Sequence, residues 1–281
     1  MSELRIRAVS PGCGVEVQGI DLRRLTNSDF ATLRDAFHRH GVLFVRGQDL
    51  EPDDHIAFAR RWGEIVINEH FPEMVGRREI AVVAKEPEQK TNIGGGWHAD
   101  HSYDPEPALG SILLAREVPE SGGDTLFANM VAAWNGLSEG LKATLLTLRA
   151  HHSSRHLYGP GGLYEKTDLK ARLKEGGSLS DALHPVAIRH PVTGETALYV
   201  NPGHTLRFDG WGRPESKVLL DWLFQHATQP RYTCRWTWRA GDVALWDNRS
   251  TWHLAVNDYD GQRRVMHRIT IAGEALGAAA A

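Results

Sequence analysis

The stretch WDNRSTWHLAVNDYDGQRRVMHRITIAG, residues 246–273, carries the strongest indication of the fold. From position 264 onward, even-numbered residues would lie on one face of a β-strand and odd-numbered residues on the other, because side chains alternate along a strand. Arg264 and Arg268 therefore point in the same direction. His253 lies near the end of a preceding strand pair, so the stretch predicts a sheet that presents one histidine and two arginines.

Short β-like segments recur along the rest of the chain and are too short and too regular for an all-helical fold. They are LRIRAV (4–9), GVLFVRG (41–47), IAVVAK (80–85), SILLAREV (111–118) and TALYV (196–200). In TCRWTWR, residues 233–239, Cys234, Trp236 and Trp238 alternate with polar side chains, which is the two-residue period of a half-buried strand. We expect one face of that strand to lie in the core.

Two segments have apolar residues at helical spacing. We expect one helix to follow a cap at Asn27 or Ser28 and a second to follow Pro214. Their apolar residues are Phe30, Leu33 and Phe37 in the first helix, and Val218, Leu219, Trp222 and Leu223 in the second. So few helices do not allow strict alternation with strands, which favours a mainly β fold, a sandwich or jelly roll with flanking helices.

Size and composition indicate an ordinary globular protein. The chain has 281 residues, 41% of them hydrophobic, which is enough to bury a sizeable core. Lys and Arg total 32 against 35 Asp and Glu, for a formal net charge of −3. Because no dense basic run is present to neutralise phosphates, nucleic acid is not expected as a partner.

The N-terminus and the two cysteines favour a cytoplasmic location. MSELRIRAVSPG lacks the apolar run of a secretory signal, and no stretch approaches the ~20 apolar residues of a membrane span. Cys13 and Cys234 are far apart in sequence, and a chain of this size needs no disulfide framework, so both are expected to be reduced thiols. No membrane partner is expected, and association into a homo-oligomer is left open.

The sequence shows no internal repeat and no linker, and we predict a single domain over residues 1–281. Residues 156–183 are rich in Gly, Lys, Glu and Ser and lack strong periodicity, which favours a mobile lid. The terminal ALGAAAA, residues 275–281, is expected to fray.

The motif WHAD, residues 97–100, stands out among the 15 histidines of the chain. On an extended backbone, His98 and Asp100 would leave the same face. A third neutral nitrogen ligand would complete a facial triad of two histidines and one carboxylate, which leaves three iron positions for a bidentate cosubstrate and O2. His-x-Asp alone is a weak signal, and His253 supplies the missing ligand.

The two arginines and the remaining histidines allow alternative interpretations. A guanidinium on the face of Arg264 and Arg268 can pair in fork geometry with the distal carboxylate of 2-oxoglutarate. The alternative is that both arginines form surface ion pairs. The other histidines considered are interpreted as structural, since they face away from Asp100 or have no carboxylate at ligand spacing: His101, His151, His152, His184 and His190.

Together these motifs resemble the taurine dioxygenase and dichlorophenoxyacetate dioxygenase family almost from end to end. The matching segments are GVEVQGIDLRRL, GVLFVRGQDL, HIAFARRWGEI, WHADHSY, VPESGGDTLFANM, GDVALWDNRSTWHLAV and QRRVMHRITIAG. The resemblance implies a double-stranded β-helix, a cupin-like jelly roll, with iron carried by His98, Asp100 and His253. It also implies that Thr125, within GGDT, and Arg264 hold 2-oxoglutarate.

The same resemblance implies the chemistry. Enzymes of this family use iron(II), 2-oxoglutarate and O2 to hydroxylate a small organic molecule, and they release succinate and CO2. The cofactors supply the reactive chemistry, while the protein supplies orientation and electrostatics. We therefore expect an oxidoreductase of the dioxygenase class.

The substrate is less defined than the reaction. The resemblance implies that Arg268 matches the arginine with which taurine dioxygenase binds the sulfonate, but the assisting histidine and asparagine are replaced here by Asn68 and Gly94. Taurine is therefore a doubtful substrate. An aromatic pocket residue is also replaced, by His204. The candidate substrate-binding residues are Arg268, Asn68, His70, Phe71, Asn92, Tyr103 and His204.

Three functions are compatible with this pattern. The leading one is hydroxylation of a small anionic substrate, such as a sulfonate, an alkyl sulfate or an aryloxyalkanoate, because a guanidinium binds each of these anions. The second is a biosynthetic oxygenase acting on an amino acid or a secondary metabolite. The third is a non-enzymatic, cupin-like metal binder, which would leave Arg264 and Thr125 without a role.

Overall fold

The computed structural model describes residues 4–174 and 176–280. Residues 1–3, 175 and 281, which include one position of the predicted lid and one of the predicted frayed tail, lie outside the described residues. Within the described ranges, none of the helices combines the length and the apolar character that crossing a membrane requires.

Strands dominate the described part of the chain. They are β1 (Arg5–Ala8), β2 (Val15–Gln18), β3 (Val42–Val45), β4 (Ile65–Val66), β5 (Glu73–Met74), β6 (Arg77–Lys85), β7 (Gly110–Glu117), β8 (Thr125–Asn129), β9 (Arg149–Ser153), β10 (Asp181–Pro185), β11 (Ala187–Arg189), β12 (Thr196–Leu198), β13 (Thr205–Phe208), β14 (Thr233–Trp236), β15 (Val243–Asp247), β16 (Thr251–Ala255) and β17 (Arg264–Ile271). The α-helices are α1 (Asn27–His40), α2 (Pro52–Arg60), α3 (Met130–Asn135), α4 (Glu139–Leu145), α5 (Arg155–Tyr158) and α6 (Arg213–Ala227). Short 3-10 helices cover Leu22–Arg24, Tyr164–Lys166, Asp168–Arg172 and Pro230–Tyr232.

Two sheets form the centre of the fold. The larger has the strand order β1-β2-β3-β15-β7-β17-β6-β5, with β4 also paired to β17, and the smaller has the order β14-β8-β16. Neighbouring strands are antiparallel except β2 and β3, which are parallel. The mainly β architecture with flanking helices that the sequence predicts is therefore confirmed.

The alternation along β17 separates two hydrophobic cores. Ile269 and Ile271 pack on the side of the larger sheet that α1 and α2 cover. Met266 packs on the other side, against Phe127 of the smaller sheet and Trp246 of β15. Arg264 and Arg268 share the face of Met266, so they point into the space between the sheets, and both are buried. The alternative of two surface ion pairs is therefore wrong.

Both predicted helices are present, but the N-cap of the first and the buried face of the second differ from the prediction. The N-cap of α1 is Thr26, one residue before the predicted position, because Thr26 and Asp29 form a reciprocal capping box. In α6, Val218 is 75% exposed and Trp222 is 48% exposed, although both were expected on the apolar face. The helix has two apolar stripes, and only the one containing Leu220 packs against the core.

The predicted lid is hydrogen-bonded to two other segments, the loop that precedes the WHAD motif and the loop between β4 and β5. The carboxylate of Asp168 accepts a hydrogen bond from the backbone N–H of Thr91, and the N–H of Lys174 donates to the carbonyl of His70. The mobility of residues 156–183 stays a prediction. In the tail, for which fraying was predicted, the N–H of Ala279 instead donates to the carbonyl of Ala187 at 3.0 Å, which extends the pairing of β11.

Cys13 and Cys234 are far apart in sequence but neighbours in the fold. Both are buried, free thiols in the core between the sheets. A hydrogen bond to Cys234, together with burial, raises the pKa of the Cys13 thiol well above its ordinary value. The Cys13 thiol is therefore protonated and poorly nucleophilic at neutral pH.

Candidate active site

His98, Asp100 and His253 converge at one point between the two sheets. Nε2 of His98 lies 3.6 Å from Oδ1 of Asp100, and Nε2 of His253 lies 3.8 Å from Oδ2 of the same carboxylate. The candidate ligand atoms of the three residues all lie within 4.8 Å of one another. The structure thus brings together the three residues that the sequence singles out as a facial triad.

The backbone that carries this triad is less regular than predicted. His98 and His253 form an isolated antiparallel bridge, with N–H···O distances of 3.0 and 2.8 Å. Asp100 already belongs to the following turn, so the expected extended segment ends before it. His101 has a φ of 57° and its Nδ1 lies 2.9 Å from the Asp104 carboxylate, which fits its structural interpretation.

Hydrogen bonds and burial orient the side chains of the triad. Nδ1 of His98 lies 2.7 Å from the carbonyl of Gly96, so Nδ1 donates to that carbonyl and Nε2 is turned towards Asp100. Burial and the neighbouring His98 hold the pKa of His253 well below its ordinary value. Two imidazole nitrogens and one carboxylate are a donor set that suits iron(II).

Asp100 is held ionised by its surroundings. Burial alone would raise its pKa, but Arg268, His253 and His98 outweigh burial and hold the pKa well below the ordinary value. Nη1 of Arg268 lies 3.1 Å from Oδ1, and the Ser111 hydroxyl donates to Oδ2 at 2.9 Å. These contacts fix the orientation of the carboxylate.

Thr125 and Arg264 form a second polar group beside the triad. On the β8–β16 pair, His253 is opposite Phe127 and Ala255 is opposite Thr125, so Thr125 lies on the same face, roughly 7 Å further along the strand. Nε of Arg264 donates to the carbonyl of Gly123 at 3.1 Å, while its Nη2 is buried without a partner in the described structure. A carboxylate from a bound molecule would satisfy this donor.

A cavity of about 570 Å³ opens onto the triad. Six of the seven residues predicted for substrate binding line it: Arg268, Asn68, Phe71, Asn92, Tyr103 and His204. His70 is not among the residues that line it and instead stacks on the lining residue Tyr158, with ring centroids 4.0 Å apart. Thr125 and Arg264 are not part of the cavity wall.

The sequence interpretation missed two aromatic residues of this cavity. Tyr158 and Tyr164 come from the predicted lid and lie with ring centroids 5.1 Å apart. Burial, above all, raises the pKa of both phenols, so they are neutral hydrogen-bonding groups in the cavity wall. The sequence signal that could have identified them is that both are aromatic residues within the segment predicted to be a lid.

A second cluster with ligand-like geometry consists of His38, His190 and Asp247. Nε2 of His190 lies 3.0 Å from Oδ2 of Asp247, a carboxylate partner that no ligand spacing in the sequence indicates. His151 likewise contacts Asp209 at 2.8 Å. Arg249 pairs with both carboxylate oxygens of Asp247, at 2.8 and 2.6 Å. The guanidinium therefore already neutralises the negative charge of Asp247 that would attract a metal cation.

Comparison with known proteins identifies the family. Residues 5–270 match the family model described as taurine catabolism dioxygenase TauD, TfdA family. An alkylsulfatase of Acinetobacter baylyi is 37% identical over 278 residues, covering 97% of this chain and 86% of the relative. An alpha-ketoglutarate-dependent sulfate ester dioxygenase of Pseudomonas putida is 35% identical, covering 97% of this chain and 90% of the relative. The crystal structure of a taurine dioxygenase from Burkholderia xenovorans superposes with a TM-score of 0.81 at 32% identity, covering 97% of this chain and 92% of that one.

The chain belongs to the TauD/TfdA family of dioxygenases. It is an oxidoreductase that depends on iron(II), 2-oxoglutarate and O2. The jelly-roll fold expected from the sequence is the fold of its structural neighbours.

Proposed function

We propose that His98, Asp100 and His253 hold the catalytic iron(II). The support is their convergence within 4.8 Å, the orientation of His98 Nε2 towards Asp100 and the ionised state of Asp100. Trp246 and Phe127 pack against the imidazole of His253, with ring centroids 4.5 and 6.2 Å away. These aromatic rings fix the imidazole and exclude water from one side of the metal position.

Thr125 and Arg264 are proposed to bind the distal carboxylate of 2-oxoglutarate. The support is the buried Nη2 of Arg264, which has no partner among the described residues, beside a threonine on the strand face of His253. When bound together, iron(II) and 2-oxoglutarate supply the activation of O2, with succinate and CO2 as coproducts. The role of this protein is then to orient the cosubstrate and to keep its charged end out of water.

The substrate is proposed to be a small monoanion with an uncharged tail, such as an alkyl sulfate, a sulfonate or an aryloxyalkanoate. Arg268 reaches the cavity and lies over the ring of Phe71, where it can face a sulfate or carboxylate. Among the described residues of the wall, Asp100 is the only acidic one, and it is already paired. Relatives that act on sulfate esters support this class.

The same charge distribution weighs against the alternative of an amino acid substrate. An ammonium group in this cavity would lose its hydration without gaining a free carboxylate, which costs several kcal/mol. A secondary metabolite with an acidic group and no amine fits the cavity as well as a sulfate ester does. A non-enzymatic metal binder is not retained, because the family consists of dioxygenases.

A succinate-release screen tests this function. Alkyl sulfates, alkanesulfonates and phenoxyalkanoates of increasing length are added to the iron-loaded protein with 2-oxoglutarate, and succinate and the oxidised product are both quantified. We expect stoichiometric succinate and product for at least one of these classes. Turnover confined to amino acids, or product without succinate, would contradict the proposal.

Metal binding is tested separately from turnover. His98→Ala, Asp100→Ala and His253→Ala are expected to lose tight binding of one iron(II) or manganese(II) per chain, measured by calorimetry. His38→Ala is the matched control, because it removes a histidine from the second cluster, where Arg249 already neutralises Asp247. Loss of metal in the control, or its retention in Asp100→Ala, would contradict the assignment.

We also propose that the whole chain acts as one domain, without nucleic acid or a membrane, in the cytoplasm. The near-even charge balance supports the absence of a nucleic-acid partner. Retention of the protein on an anionic vesicle or on duplex DNA at physiological salt would contradict it.

A further inference from the structure

Trp238 connects the two residues proposed to hold 2-oxoglutarate. Its indole Nε1 donates a hydrogen bond to Oγ1 of Thr125 at 2.9 Å, and the guanidinium carbon of Arg264 lies 6.0 Å from the centre of its ring. The side chain is 6% exposed and packs in the core between the two sheets. Neither the triad nor the cavity includes this tryptophan.

The direction of the hydrogen bond is fixed by chemistry. An indole N–H only donates, so the Thr125 oxygen must be the acceptor. A threonine hydroxyl has one proton, and that proton cannot point at a group that is itself donating. Trp238 therefore leaves the Thr125 hydroxyl to donate in another direction, which is the role that binding a carboxylate requires.

The adjacent GGDT segment holds the arginine against the same group. The carbonyl of Gly123 accepts from Nε of Arg264 at 3.1 Å, which leaves Nη2 unpaired within the described structure. Gly123 has a φ of 67°, and a Cβ there would lie 2.9 Å from Pro119 and 3.2 Å from Arg264, so the close approach requires glycine. One hydroxyl and one guanidinium are thus held as donors beside the same indole.

We propose that Trp238 is a positioning residue for the cosubstrate: it orients the Thr125 hydroxyl as a donor and lies against Arg264, so that both face the distal carboxylate of 2-oxoglutarate. This inference rests on the cosubstrate site proposed above. It separates Trp238 from Trp236 of the same core, whose Nε1 has no hydrogen-bond partner in the described structure.

The chain offers a matched control two residues earlier, at the end of β14. Trp236 belongs to the same core and is 3% exposed, but its Nε1 is buried without a hydrogen-bond partner in the described structure. Trp236→Phe and Trp238→Phe therefore remove the same atoms from the same core. Only Trp238→Phe removes a hydrogen bond to Thr125.

The experiment measures 2-oxoglutarate binding to the manganese(II)-loaded protein by calorimetry, with thermal unfolding of each variant as a check on folding. Trp238→Phe is expected to weaken binding about three- to tenfold, the range for one lost hydrogen bond. Trp236→Phe should stay within about twofold of the wild type, as expected where no hydrogen bond is lost. With active enzyme, Trp238→Phe should raise the KM for 2-oxoglutarate and leave the KM for the primary substrate unchanged.

A double-mutant cycle decides whether Trp238 acts through Thr125. Adding Trp238→Phe to Thr125→Val should cause no further loss of affinity, because the hydroxyl that the indole orients is already gone. Wild-type affinity in Trp238→Phe, equal losses in Trp236→Phe, or losses that multiply in the double variant would overturn the inference. Arg264→Ala tests the cosubstrate site separately from the role of Trp238. Wild-type affinity for 2-oxoglutarate in Arg264→Ala would refute the cosubstrate site itself. A loss of affinity in Arg264→Ala with none in Trp238→Phe would refute only the role of Trp238.

Discussion

Nη1 of Arg268 lies 3.1 Å from Oδ1 of Asp100, so one buried ion pair joins the candidate metal site to the wall of the substrate cavity. Arg268 is 8% exposed and Asp100 is 6% exposed, and water screens the pair little. Arg268 thus orients the carboxylate while its remaining donors, including an unpaired Nε, lie near the cavity. Arg264, on the same strand face but roughly 13 Å away along β17, has no such contact with the triad.

The two arginines are expected to serve different ligands. Arg264→Ala should raise the KM for 2-oxoglutarate sharply, because a buried carboxylate that loses its charged partner costs ~3–5 kcal/mol. Arg268→Ala should chiefly weaken the primary substrate found in the succinate screen. Separate titrations of the two ligands measure this division.

Arg263 provides the control for both variants. It is the residue before Arg264, but it is 43% exposed and pairs with the carboxylates of Glu86 and Glu117. Arg263→Ala should leave both KM values unchanged. If Arg268→Ala weakened 2-oxoglutarate as much as Arg264→Ala did and spared the primary substrate, the division of roles would be wrong.

Local patterns in the sequence were sufficient to predict most of the sheet and the triad. The alternation in 233–239 predicted its buried face correctly, and the alternation in β17 placed Arg264 and Arg268 on one face, because a period of two residues is a direct consequence of strand geometry. His98 and Asp100 were found from their spacing although Asp100 lies in a turn, since a tight turn also brings side chains two residues apart together. The sequence thus predicted that His98 and Asp100 lie together, but not the turn that brings them together.

Contacts set by the packing of distant segments were not predictable from one sequence. The Cys13–Cys234 pair, the Asp247–His190 contact and the place of Tyr158 in the cavity each join elements far apart along the chain. Such contacts depend on register and on which of several apolar stripes packs inward, as the exposed Trp222 of α6 illustrates. No spacing rule within a single segment encodes these choices.

Arg249 is expected to stabilise the fold without contributing to metal binding. It pairs with both oxygens of Asp247, and both side chains are almost fully buried. Arg249→Met would leave a buried carboxylate without its cation and should lower the free energy of unfolding by ~3–5 kcal/mol. Urea unfolding of the metal-free protein measures this loss.

The matched control is Lys217→Ala, which breaks an ion pair with Asp221 on the exposed face of α6. Such a surface pair contributes about 0–1 kcal/mol, so the unfolding midpoint should hardly move. Equal stability of Arg249→Met and Lys217→Ala would show that the buried pair adds nothing to the fold.

His55 is expected to make the protein less stable in mild acid. It is fully buried in α2, and burial, with smaller contributions from His267 and Arg116, lowers its pKa to about 3. The unfolded chain, with a histidine pKa of ~6.5, binds more protons between these values. Stability from His55 is therefore fully present above about pH 6.5 and is lost as the pH falls towards about 3, by up to ~1.4 kcal/mol per pH unit.

Between roughly pH 5 and 6, unfolding of His55→Leu should take up about one proton fewer than unfolding of the wild type, so the free energy of unfolding should depend less steeply on pH. Urea unfolding at several pH values, with a chelator present, measures the slope. His267, whose pKa burial lowers to about 4, faces the same region, and His267→Leu should flatten the curve further. An unchanged slope in His55→Leu would mean that the imidazole is solvated or charged in the folded protein.

Taurine and propane-1-sulfonate should differ strongly as substrates, because they have the same size and anionic group but only taurine carries an ammonium. Asp100 is the only acidic side chain that the described structure places in the cavity wall, and Arg268 already pairs with it. The ammonium would be desolvated without a partner, at a cost of several kcal/mol, so kcat/KM should favour propane-1-sulfonate by at least ~100-fold. Phe71→Asp, which adds a carboxylate beside Arg268, should narrow that ratio, while Val75→Asp, at a 97% exposed surface position, should leave it unchanged. Equal turnover of the two sulfonates by the wild-type enzyme would show that the cavity offers the ammonium a partner or leaves it in water, and the proposed preference for an uncharged tail would be wrong.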